Sequence, residues 1–256
     1  MGSAKIVEVK DRKIGGDRPL ICTPLVGRTE QQLIQEAKSI LELKPDLVEW
    51  RVDYLDKAEN ISTVLNILSA LRNILTDYPI IFTCRIDLEG GFKKIEKNVR
   101  FELIKRVIET KQVDIVDIEL INEEDSIRDI LRVAKENGIF VIISNHDFKQ
   151  TPPREVIVER LVKAQELGAD IAKIAVMPNS MEDVLDLLYA TNIVKEQYAK
   201  IPLITMSMSG KGLISRIAGG IFGSSITFGA GKEASAPGQI AISELQTAIG
   251  ILQKNM

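Results

Sequence analysis

The first residue of this chain that could do chemistry is Lys173, a lysine set inside the apolar run ADIAKIAVMP. Its flanks are Ile171, Ala172, Ile174, Ala175 and Val176, and the nearest acid in the run is Asp170 at its start. A lysine in such a place either reaches a polar mouth or sheds its proton, and the free amine is a nucleophile towards carbonyls. The competing role is an internal ion pair, with Glu49 as a candidate partner. His146, the only histidine, ends another apolar run, ISNHDF, and histidine is the side chain best suited to move protons near neutral pH. Glu89 follows Arg85 by four residues in FTCRIDLEGG, a loop that Gly90 and Gly91 make pliable.

Further charges fall where packing residues would serve. In LVEWRVD, Glu49 and Arg51 share one face of a strand and Trp50 and Val52 the other; with Trp50 in a helix layer, Glu49 and Arg51 point inward, as an ion pair or as substrate contacts. In LITMSMSG, Met206 and Met208 share a face, as core or as a wall that excludes water. Arg216, in GKGLISRIAGG, offers a planar fork suited to a carboxylate. Ser235 and Gln239 are the neutral hydrogen-bonding groups of GAGKEASAPGQ, a candidate mobile lid. Neither SGKG nor GAGKE fits the spacing of a phosphate-binding P-loop.

These residues need strands that deliver them to one place. Short β-rich apolar runs occur at 20–26, 47–52, 80–85, 113–120, 140–144, 171–177, 203–207 and 224–228. Amphipathic stretches follow them near 29–43, 60–76, 97–110, 123–136, 154–167, 181–198, 211–220 and 238–253. Runs such as FVIIS are apolar throughout, as in parallel strands buried on both faces. Eight successive βα units favour closure into a barrel, which removes exposed edges, over an open doubly wound sheet. In a (β/α)8 barrel the chemistry gathers at the C-terminal strand ends. Asn137-Gly138 and Leu167-Gly168 supply helix stops, and Lys5–Gly15 reads as a hairpin that lids the N-terminal end of the barrel. The reading is a (β/α)8 TIM barrel, one domain over residues 1–256.

A chain of 256 residues, 45 % hydrophobic and 27 % charged, can build a substantial core. A formal charge of −3 gives no basic excess for a nucleic-acid or membrane surface. No apolar run approaches the roughly 18 residues of a membrane span, and no signal-peptide core follows the start. Cys22 and Cys84 read as reduced core thiols, and no cysteine–histidine spacing suggests zinc.

Taken together, EWRVD, FT-x-R followed by EGG, ISNHDF, ADIAKIAVMP, ITMSMSG with a following SR, and SAPGQI resemble the type I 3-dehydroquinate dehydratase family. The resemblance runs from about Leu20 to about Leu252, and six motifs in order are far more specific than any one. It implies a Schiff-base dehydratase of the shikimate pathway in which Lys173 forms an imine with the substrate ketone. His146 would be the general acid and base, oriented by Glu89. Arg216, with Ser235 and Gln239, would hold the carboxylate. Glu49, Arg51 and Arg85 would bind the ring hydroxyls, and Met206, Met208 and Phe228 would form an apolar wall. It also implies no metal or organic cofactor, a homodimer, and a cytoplasmic setting. Cys84 stands where many relatives would carry an aromatic residue, on the strand face turned away from the substrate. A class I aldolase-type barrel shares the strand lysine but would want a phosphate site; a non-catalytic barrel would leave the charged cluster without a purpose.

Overall fold

The structure, a computed structural model, describes residues 5–231 and 238–255. Strands β1 (Val7–Val9) and β2 (Arg12–Ile14) pair antiparallel. Strands β3 (Leu20–Leu25), β4 (Leu47–Arg51), β5 (Ile80–Thr83), β6 (Ile115–Glu119), β7 (Phe140–Asp147), β8 (Ile171–Val176), β9 (Leu203–Ser207) and β10 (Ile226–Phe228) form one parallel sheet. Its order, β10-β3-β4-β5-β6-β7-β8-β9, brings the last strand beside the first. Helices α1 (Glu30–Leu43), α2 (Ile61–Ile74), α3 (Lys97–Glu109), α4 (Glu124–Asn137), α5 (Arg154–Leu167), α6 (Met181–Ile193), α7 (Leu213–Phe222) and α8 (Ile242–Lys254) alternate with the strands. This is the expected TIM barrel.

Local chemistry starts and stops these helices. Thr29 with Gln32, and Ser180 with Asp183, make reciprocal capping boxes for α1 and α6. Gly138 (φ 73°) and Gly168 (φ 104°) end α4 and α5 in the left-handed conformation. The seam between β9 and β10 is stitched by one bridge, Leu203 to Ser224, and by the Ser224 hydroxyl, which accepts from the Thr205 N–H at 3.0 Å. That side-chain bond shortens the last strand: the run expected at 224–228 is a strand only from Ile226. By contrast, the run expected at 140–144 continues to Asp147, so His146 lies in the strand, paired with Ala175.

Strand alternation divides the core. Trp50, Phe82, Cys84, Val116, Ile143 and Ile174 pack outward with the helices. Leu47, Ile81, Ile115, Ile142, Ile171, Ile204 and Ile226 fill the barrel, together with Val7, Val9 and Ile14 of the hairpin. The hairpin therefore closes the N-terminal end, as the sequence predicts.

Candidate active site

The register places side chains from alternate strands at one height, as in the interior layers of an eight-stranded barrel. Leu47, Ile115, Ile171 and Ile226 occupy equivalent positions in β4, β6, β8 and β10, all buried. Two residues further on stand Glu49, Asp117, Lys173 and Phe228, also buried. Lys173 touches the other three: its Nζ is 3.2 Å from Asp117 Oδ2, 3.6 Å from Glu49 Oε1 and 4.8 Å from the centre of the Phe228 ring. The barrel has replaced one layer of packing with one layer of charge.

The surrounding groups satisfy that charge. Arg85 Nη2 is 2.9 Å from Asp117 Oδ2, and its Nη1 donates to Glu119 Oε1 at 3.0 Å and to Ser144 Oγ at 2.8 Å. Ser144 in turn donates to Asp117 Oδ1 at 2.6 Å. Burial alone would raise the Asp117 pKa, but Arg85 and then Lys173 hold it well below the usual carboxylate range. Arg100 of α3 donates to Glu119 Oε2 at 2.6 Å. Arg51 makes a two-pronged contact with Asp53, at 2.9 and 2.8 Å. Asp53 also accepts the Phe92 N–H at 2.9 Å, tying the loop that carries Glu89 to β4.

His146 and Glu89 meet at the same mouth. Glu89 Oε2 accepts the His146 N–H at 2.8 Å and lies 3.1 Å from His146 Nδ1, while Oε1 accepts from Asn145 Nδ2 at 3.1 Å. Burial, aided by Arg85 and Lys173, pushes the His146 pKa well below its ordinary value. A neutral imidazole that gives its Nδ1 hydrogen to Glu89 has a lone pair on Nε2 with which to take a proton. Burial also lifts Glu89 to about 7, with Glu119 adding to the rise and Arg85 opposing it.

Glu49, Arg51, Arg85, Glu89, His146, Lys173, Met206, Met208, Phe228 and Gln239 line one cavity, with Phe148 and Ala175. Arg216, buried on α7, reaches Met206 Sδ at 3.8 Å and the Phe228 carbonyl at 3.5 Å, beside the cavity rather than among the residues that line it; burial lowers its pKa to about 10. Ser235 lies outside the described residues. Among the described residues, no group of three or more His, Cys, Asp or Glu side chains is placed to hold a metal, and no helix is long and apolar enough to cross a membrane.

The sequence reading missed Asp117, Glu119, Asp53, Asn145 and Arg100. A signal for Asp117 was present. Asp46-Leu47-Val48-Glu49, Asp114-Ile115-Val116-Asp117 and Asp170-Ile171-Ala172-Lys173 are one repeated strand entry. Its leading aspartates accept the N–H groups of Ile21, Ile80 and Val141 on the preceding strands, at 2.8, 2.8 and 2.9 Å. The fourth position of that repeat is the charged layer.

The sequence profile of the family described as Type I 3-dehydroquinase matches residues 21–256. The chain is 49 % identical to a 3-dehydroquinate dehydratase of Clostridium botulinum over 98 % of this chain and 99 % of the relative. It is 48 % identical to one of Clostridium novyi over 97 % and 98 %. A crystal structure of the type I 3-dehydroquinate dehydratase of Clostridium difficile, with covalent modified comenic acid, superposes with a TM-score of 0.96 at 46 % identity, covering 99 % of both chains. Likeness to a 3-hexulose-6-phosphate synthase, TM-score 0.60 at 16 % identity over 90 % of this chain and 99 % of that one, extends to the fold alone.

Proposed function

This chain belongs to the type I 3-dehydroquinase family and is a 3-dehydroquinate dehydratase, a hydro-lyase of the shikimate pathway; from that premise we propose that it removes water from 3-dehydroquinate through an imine on Lys173. The observation that carries this mechanism is the Lys173 amine at the floor of the cavity whose mouth holds the His146–Glu89 pair. The free amine adds to the C3 ketone and the carbinolamine loses water, leaving a protonated imine. That cation occupies the place of the lysine ammonium, so Asp117, Glu49 and the Phe228 ring stabilise it without rearrangement.

The imine draws electrons from C2. His146 Nε2 takes the C2 proton to give an enamine, then returns a proton to the departing C1 hydroxyl, which leaves as water. Hydrolysis of the product imine consumes the water released when the first imine formed, so the net change is the loss of one water. His146 also carries protons during imine formation and hydrolysis. Glu89 orients it. Arg216 holds the substrate carboxylate with Ser235 and Gln239; Glu49, Arg51 and Arg85 meet the ring hydroxyls; Met206, Met208 and Phe228 keep the site dry. The covalent imine supplies the electron sink that a cofactor would otherwise provide. The Clostridium difficile relative, described with covalent modified comenic acid, is in keeping with covalent chemistry in such a protein. The chain works as one catalytic domain over residues 1–256, as a cytoplasmic homodimer on a small-molecule substrate, without nucleic acid or membrane.

Borohydride tests the imine. Activity should be lost irreversibly when borohydride and 3-dehydroquinate are present together, and survive borohydride alone. Full activity after joint treatment, with turnover continuing meanwhile, would contradict the mechanism.

A further inference from the structure

We infer that Arg160, on the outer helix α5, is a positioning residue for the acid–base pair: through Asn145 it holds the Glu89 carboxylate as an acceptor for His146. The inference rests on the roles proposed above for His146 and Glu89. Asn145 follows Ser144 and precedes His146 in β7, so strand alternation turns it from the barrel interior towards the helix layer. There Arg160 Nη1 donates to Asn145 Oδ1 at 2.7 Å, and Asn145 Nδ2 donates to Glu89 Oε1 at 3.1 Å.

A side-chain amide can turn over and exchange its oxygen for its nitrogen, so its neighbours decide which end faces which way. A guanidinium has only donors. The atom of Asn145 that meets Arg160 is therefore the oxygen, and the NH2 group is left facing Glu89. Arg160 sets the direction of the whole chain.

The consequence falls on Glu89. Its Oε2 already accepts the His146 N–H and sits 3.1 Å from Nδ1, and its Oε1 accepts from Asn145. While His146 carries its hydrogen on Nδ1, both oxygens face donors and a proton on the carboxyl finds no acceptor. If Asn145 turned over, its oxygen would offer that acceptor at Oε1, and the protonated acid would be favoured. Burial already favours it, as does Glu119. The charges that face the pair from the surrounding strands are Arg51 on β4, Asp117 and Glu119 on β6, and Lys173 on β8, together with Arg85 after β5. None of these lies on the Arg160 side of Asn145, so the amide chain is a separate control on Glu89.

The test is the pH profile of kcat for the wild type and three variants. Asn145→Asp keeps the size of the side chain and an oxygen for Arg160, but turns an acceptor towards Glu89. Its acidic limb should move up by about one pH unit or more, from the lost hydrogen bond to an ionised group together with the repulsion of the added carboxylate, with kcat recovering towards wild type at high pH. Arg160→Met releases the amide and should move the limb the same way by less. Arg160→Lys keeps a donor and should restore the wild-type limb. A role in folding alone would lower kcat equally at every pH. Unmoved limbs in both Asn145→Asp and Arg160→Met, or uniform losses, would overturn the inference. Borohydride trapping of the wild type separates the two levels: no adduct refutes the imine reading, whereas an adduct with unmoved limbs refutes the role of Arg160. Arg160→Met changes a half-buried side chain on an outer helix, so it carries the test if Asn145→Asp fails to fold.

Discussion

Two layers of the same barrel, one turn of the pleat apart, do opposite work. Leu47, Ile115, Ile171 and Ile226 form the lower one, and Glu49, Asp117, Lys173 and Phe228 the upper. The strands are the same, the register is the same, and both layers are buried. The lower layer is held by apolar burial, which is non-directional and tolerant of pH. The upper layer places charges where an unpaired ion would be prohibitive, so each needs a partner at a defined distance. Arg85 and Ser144 supply partners for Asp117, and Thr83 one for Glu49, while Glu119 and Arg100 in turn hold Arg85 in place. A site of this kind is positioned by its ion pairs as much as by its backbone, and is sensitive where the lower layer is not.

Substitutions can set the two layers against each other. Lys173→Met in the upper layer should lower kcat by about ten-thousand-fold or more, since the nucleophile is gone, while circular dichroism reports an intact fold. Asp117→Asn keeps the shape but leaves Lys173 and Arg85 without their shared carboxylate. It should cost about 4 kcal/mol of stability in urea unfolding, the range for breaking a buried ion pair. Ile171→Ala, one layer down, should cost about 3 kcal/mol by leaving a cavity, yet hold kcat/KM within about tenfold of wild type. If Ile171→Ala damaged catalysis as badly as Lys173→Met, the division of labour between layers would be wrong.

The finest contrast is in pH. Burial lifts Glu89 from its ordinary 4.5 to about 7. A raised folded value means that the stability from the bound proton is complete below the unfolded pKa and lost as pH climbs through the folded one. Glu89→Gln has no charge to bury. Measured by denaturant titration, its stability relative to wild type should grow between about pH 5 and pH 8, by up to about 3 kcal/mol. The gap between Ile171→Ala and wild type should stay level over the same range, because no proton is involved.

Much of this was legible in the sequence because alternation is a strict rule. Period-two patterning put Glu49 and Arg51 inside with Trp50 outside, turned Cys84 away and set Met206 and Met208 on one wall, as found. The pairing of Glu89 with His146 came from the family resemblance; their places at strand ends put them only at the same end of the barrel. Asp117 and Glu119 were not read because VDIVDIEL looks like an apolar strand with three tolerated acids; the inward parity of Asp117 and Glu119 gains meaning only once Lys173 and Arg85 arrive from other strands. The contact of Asn145 with Arg160 spans a strand and a helix and depends on which way an amide points, which no local spacing records. The start of the last strand at Ile226 and the end of β7 at Asp147 were set by side-chain bonding and pairing rather than by hydrophobicity.

The central claim is that the lysine of the charged layer becomes covalently joined to substrate. Treating the enzyme with 3-dehydroquinate and borohydride, then digesting it and mapping masses peptide by peptide, addresses that claim most directly. The account predicts a single reduced adduct on Lys173, absent when substrate is omitted and absent from Lys173→Met. An adduct on another lysine, or none while product forms at the full rate, would contradict it.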